Sequence, residues 1–135
     1  MKTNLSKYML KNGQIIFKKA EDGRKLRIAI WKANTKRAIG TVFFLNGHRE
    51  FIEKYSGTFE FFIKKGFNVC TLDWRGWGLS DRPFPSRPKI QHISSAEEYQ
   101  LDLDAVIGLA KKKKINYSMV LSCPFVRLSY RVKKT

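Results

Sequence analysis

The sequence predicts an α/β fold, an antiparallel hairpin leading into parallel strands with flanking helices. Three observations carry that expectation. Thr41–Leu45 and Phe67–Leu72 are continuous apolar, β-rich runs, the pattern of strands buried on both faces. Thr58–Lys65 between them sets Phe59, Phe62 and Ile63 on one face at helical spacing. Strand, helix, strand is a βαβ unit, whose right-handed crossover makes its strands parallel. Upstream, Gln14–Lys18 and Leu26–Trp31 flank Glu21-Asp22-Gly23-Arg24, whose Asp-Gly pair suits a hairpin turn needing positive φ.

Taken in order, residues 1–12 read as a polar arm, and the hairpin follows. Asn34–Ala38 is a charged connection into Thr41–Leu45. After Phe51 comes a loop and the first helix, with Gly66 as the residue beyond its end. Phe67–Leu72 is the next buried strand. Arg82–Pro88 holds three prolines, which exclude regular structure and give a rigid loop. Ser95-x-x-Glu98 matches a capping box, whose cap contributes roughly 1 kcal/mol. Tyr99, Leu103, Val106, Ile107 and Ala110 then form one apolar helical face. Lys111–Lys114 closes it, where positive charge suits the dipole. Tyr117–Leu121 is expected to be the next parallel strand.

In parallel sheets chemistry sits beyond the carboxyl ends of the strands. Two polar, Gly-containing loops fall there: Asn46-Gly47-His48-Arg49-Glu50 and Asp73-Trp74-Arg75-Gly76-Trp77-Gly78-Leu79-Ser80. The first resembles the His-Gly-x-x-Glu loop of the lysophospholipase and monoacylglycerol-lipase branch of the α/β-hydrolase family, which also takes in serine aminopeptidase-like enzymes. The second resembles that family's Asp-x-Arg-Gly-x-Gly-x-Ser turn. The resemblance runs from about Gly13 to about Leu121. It implies the amino-terminal half of an α/β-hydrolase sheet over residues 13–122, and a basic tail without family likeness over 123–135.

The resemblance also implies roles. Acyl transfer needs backbone N–H donors fixed before the oxyanion develops. The first donor would be the N–H of His48, after a Gly47 that permits close approach. Asn46 stands where the family usually has His. Glu50 would brace the loop by hydrogen bonding. Asp73, Arg75, Gly76 and Gly78 would support the second turn, Asp73 and Arg75 pairing with each other or bonding backbone groups across it. Trp74, Trp77, Phe84 and the Pro-rich loop would offer apolar surface to an acyl chain.

The nucleophile belongs after Tyr117–Leu121, in a Gly-x-Ser-x-Gly elbow that only small neighbours allow. In register, Ser122 falls on the first glycine, Pro124 on the serine and Val126 on the second glycine. Proline offers no nucleophile and valine crowds the turn. Cys123 lies one position off and lacks a matched base, so it does not replace the serine. Ser80 has no such frame, and His92 has no partner in the pattern. No later stretch matches the triad acid and base. The expectation is therefore a truncated or frame-altered serine ester hydrolase, lysophospholipase-like, with an oxyanion loop and no catalytic residue, inactive as it stands.

At 135 residues the chain can bury one core, yet it is short for a whole domain of this family. An apolar fraction of 43% argues against disorder. A net charge of +16 favours anionic surfaces. The competing reading is a non-catalytic basic module that binds anionic membrane or nucleic acid through Lys111–Lys114 and the Arg127–Lys134 stretch. Nucleic acid is disfavoured, since no aromatic-interleaved basic stripe or zinc-ligand spacing is present. The expected partners are a lipid or other small ester for an intact relative, an anionic membrane surface, and a second copy through an open sheet edge. No cofactor or metal is expected. Cys70 and Cys123 read as thiols of a reducing compartment. With no apolar core for a signal peptide in Met1–Leu10 and no membrane-length run, the cytoplasm is expected, with membrane association added by the basic surface.

Overall fold

A computed structural model describes residues 13–47, 49–87, 95–113, 115 and 119–122. Seven elements follow in order: β1 (Gly13–Lys19), β2 (Lys25–Trp31), β3 (Gly40–Leu45), α1 (Ser56–Lys64), β4 (Phe67–Leu72), α2 (Ala96–Lys112) and β5 (Met119–Ser122). The strands form one sheet in the order β1-β2-β4-β3-β5. β1, β2 and β4 run antiparallel to one another in turn, while β3 is parallel to β4 and to β5. This is the expected α/β class, with the hairpin feeding a parallel sheet.

The hairpin closes where Asp-Gly predicts it. Gly23 has φ +89°, a conformation costly for a side chain with a Cβ, and its N–H donates to the Ala20 carbonyl at 2.9 Å. Alternation along the strands sorts the core into two layers. Ile28, Ile30, Phe43, Leu45, Cys70 and Leu72 face α2 and meet Leu103, Val106, Leu109 and Ala110. Ala29, Trp31, Phe44 and Val69 face α1 and meet Phe59 and Ile63. Phe59 is the anchor of that second layer, its ring 5.3 Å from both Trp31 and Phe44.

Two local expectations are corrected. α1 begins at Ser56, two residues before Thr58, and a 3-10 turn over Ile52–Tyr55 leads into it. Ser95 is the N-cap of α2 in extended conformation, but its side chain makes no capping hydrogen bond. Glu98, the other half of the box, faces Arg75 at 3.8 Å. The last strand is described over Met119–Ser122, and the expected start at Tyr117 lies outside the described residues. Register pairs Leu45 with Ser122, which sets the ends of β3 and β5 side by side.

Candidate functional site

The two glycine-containing loops leave the carboxyl ends of β3 and β4, neighbours in the sheet. Asn46 is fully buried at the end of β3. Its Nδ2 donates to the Leu72 carbonyl at 2.7 Å, which ties the end of β3 to the end of β4. Its backbone carbonyl accepts from Trp74 Nε1 at 2.7 Å. Its Oδ1 has no hydrogen-bond partner among the described residues. Gly47 N–H donates to Glu50 Oε2 at 2.7 Å, closing the loop on itself. Burial works to raise the Glu50 carboxyl, yet hydrogen bonds from Tyr55, Lys54 and Gly47 outweigh it and hold it below its ordinary value. Arg49, with φ +61°, is the non-glycine residue that takes the left-handed strain of this turn. The Gly47 N–H is thus already engaged. The next N–H, that of His48, lies outside the described residues, as do His92, Cys123, Pro124 and Val126.

The second loop is organised by Asp73, which is fully buried. Oδ1 accepts from Ile52 N–H at 2.9 Å and Oδ2 from Leu79 N–H at 2.9 Å. Oδ2 also accepts from Arg27 Nε at 2.6 Å. Arg27 turns its other two nitrogens to Glu53, at 2.5 and 2.9 Å. One β2 guanidinium therefore binds a carboxylate from each loop region, in the planar two-pronged geometry that arginine favours. Burial pushes the Asp73 carboxyl above its ordinary value, against the pull of Arg27 and of the Leu79 and Ile52 N–H groups. Gly78, at φ +52°, passes so close that a Cβ there would sit 2.2 Å from the Asp73 carboxyl. Arg82 donates to the Gly76 and Gly78 carbonyls and holds the far side of the turn.

Asp73 and Arg75 do not pair with each other. Asp73 takes Arg27, and Arg75 turns the opposite way, to α2. It meets Asp102 through Nε at 2.9 Å and Nη2 at 2.7 Å, and its backbone N–H adds a third bond at 3.0 Å. Its remaining nitrogen reaches Asp22 in the hairpin turn at 2.7 Å. Trp74 is buried against Tyr99 in the α2 layer and presents no apolar surface to a ligand. Trp77 is half-buried against the same layer, while Phe84 is exposed. Ser80 Oγ donates to the Asp73 carbonyl and accepts from Arg27 N–H, a structural role. Cys70 is buried, its thiol pushed up to about 12 by desolvation, so it is inert at neutral pH.

Arg27, Glu53, Asp102 and Asp22 are the residues that motif reasoning misses. Two of them carry a sequence signal. Arg27 interrupts the apolar run Leu26–Trp31, and Asp102 falls on the apolar face between Tyr99 and Val106. A charge in such a place needs a buried partner.

Residues 36–129 match the model of the serine aminopeptidase S33 family of hydrolases. Among solved structures, a thermostable carboxyl esterase from Bacillus coagulans superposes with a TM-score of 0.66 at 18% identity, over 82% of this chain and 36% of that one. A soluble variant of monoglyceride lipase from Saccharomyces cerevisiae, bound to a substrate analogue, gives 0.64 at 19%, over 83% and 36%. An esterase of Pyrococcus furiosus gives 0.61 at 22%, over 82% and 41%. This chain therefore spans little more than a third of the length of these structures. No curated protein matches the sequence.

Proposed function

Since this chain belongs to the serine aminopeptidase S33 family of α/β hydrolases, we propose that it is the oxyanion-side part of a carboxylic-ester hydrolase that cannot turn over an ester by itself. The observation that carries the proposal is a mismatch between neighbours. The Asn46–Glu50 and Asp73–Ser80 loops are tied together at the ends of β3 and β4. The adjacent β5 ends at Ser122, and the sequence that follows puts Pro124 in the nucleophile's position and Val126 where the elbow needs glycine. A prebuilt donor loop lowers the barrier only when a nucleophile attacks beside it.

In the same reading, His48 N–H is the first oxyanion donor and Glu50 braces its loop. The domain takes in residues 13–122 and residues 123–135 form a basic tail, the first part of which, to 129, still falls within the family match. The fold neighbours include esterases and a monoglyceride lipase, which supports an ester, with a lysophospholipid or monoacylglycerol as the favoured class for an intact relative. The test is a fluorophosphonate probe applied to the full chain beside an intact esterase of this fold. No labelling and no p-nitrophenyl acetate turnover above buffer are expected. Stoichiometric labelling of any serine would overturn the proposal.

A further inference from the structure

The amino-terminal ends of β3 and β4 lie at the opposite end of the sheet from the Asn46–Glu50 loop. There the connection into β3 packs along the end of α1. Asn34 N–H donates to the Ile63 carbonyl at 3.4 Å, and Ile39 N–H to the Gly66 carbonyl at 2.8 Å. The Ile39 side chain crosses Gly66, where a Cβ would sit 3.1 Å from its terminal carbon. Ile39 is nonetheless 70% exposed and Phe61, on the same end of α1, 55% exposed. The Phe61 ring is 5.4 Å from that of half-buried Phe62, which in turn is 6.1 Å from Phe67.

Basic side chains surround these apolar ones. Lys36 and Arg37 precede Ile39, Lys64 and Lys65 follow Phe61, and all four are exposed. Lys65 Nζ stands 5.6 Å over the Phe61 ring. Glu60, the acid of this stretch, is occupied by Lys64 at 3.1 Å.

We infer that this end of the molecule docks on an anionic lipid bilayer, Ile39 and Phe61 entering the headgroup–acyl boundary while Lys36, Arg37 and Lys65 meet lipid phosphates and Lys64 offsets Glu60. Exposed apolar side chains gain nothing from a nucleic-acid backbone, and basic side chains gain nothing from an apolar protein groove. An anionic membrane surface takes both at once. Docking is peripheral, for no helix among the described residues is long and apolar enough to cross a membrane. β3 has six residues and so spans about 20 Å, which holds the Asn46–Glu50 loop away from the lipid. The surface uses no residue of the Asn46–Glu50 or Asp73–Ser80 loops and stands whether or not the ester-hydrolase reading does.

The experiment is co-sedimentation of the full chain with phosphatidylcholine vesicles, with and without phosphatidylserine. Binding only to the anionic vesicles is expected. Lys64→Gln with Lys65→Gln should weaken it about thirtyfold. Ile39→Ser with Phe61→Ser should weaken it at least as much, with an unchanged far-ultraviolet spectrum in both variants. Lys19→Gln with Lys25→Gln, paired at the opposite end of β1 and β2 and both exposed, serves as the charge-matched control and should leave binding as it is. Equal losses in the control would reduce the effect to net charge and overturn the inference. So would undiminished binding in the Ile39/Phe61 variant, or a variant whose change is loss of a dimer rather than of vesicle binding.

Discussion

An arginine inside a strand whose neighbours are Leu26, Ile28 and Ile30 has to bring its counter-charges with it. Arg27 does so through Glu53 and Asp73, at side-chain exposures of 5% and 0%. Replacing it with alanine strands two carboxylates in the core. Arg27→Ala should cost about 3–5 kcal/mol of folding free energy, read as a lower urea midpoint, because removing one member of a buried pair leaves an uncompensated charge. The Arg75–Asp22 contact tests a milder case. The Arg75 guanidinium holds the Asp22 carboxyl below its ordinary 3.8. Unfolding returns it to the ordinary value, so the folded form takes up this proton only at lower pH. The contribution is complete above the ordinary value and is lost as pH falls through the folded one. Asp22→Asn should therefore lie below the parent in urea midpoint at neutral pH and converge with it in acid. A gap that persists at the lowest pH would refute the linkage. At this scale the sequence is half legible. The interrupted apolar pattern at Arg27 and Asp102 shows that partners are needed, but Glu53 and Asp22 come from distant turns that only the fold brings near.

Elements were easier to read, because periodicity is local. The apolar runs of β3 and β4, the face of α1 and the Asp-Gly hairpin all follow from spacing. The cap of α2 does not, since Ser95-x-x-Glu98 fits a box whose serine side chain makes no capping bond, and Glu98 also faces an arginine far away in sequence. Two glycines separate local preference from context. Gly57 lies in α1 with nothing within 4 Å of an added Cβ, and Gly57→Ala should stabilise by about 0.5 kcal/mol through helix propensity. Gly78→Ala faces both a left-handed φ of +52° and the Asp73 carboxyl. It should lower the thermal midpoint sharply, and an unchanged midpoint would mean that the turn can re-form without that contact.

For the whole molecule, β5 is the last strand of the sheet among the described residues. Among the described residues no strand pairs with its outer edge, and an open parallel edge pairs readily with another chain, the basis of the expected self-association. The net charge of +16 opposes it by mutual repulsion. Added salt screens that repulsion, so sizing should show larger species growing with both protein concentration and ionic strength. A single monomer peak in high salt at every concentration would contradict this. The class of the fold was legible at this scale from strand–helix–strand order and two loop motifs. The site was legible only as loops, because the bonds that lock them run through β2, whose pairing with β4 leaves no mark in the sequence.

Arg27 sits on the hairpin strand while its two carboxylates sit near the loops that follow β3 and β4. The three positions are consequently heritable only as a set. A lineage that drifts at one must compensate at the others or lose the domain, so co-variation among 27, 53 and 73 should outlast any selection for turnover. The charge triad would then mark common ancestry independently of the chemistry at the loops it holds.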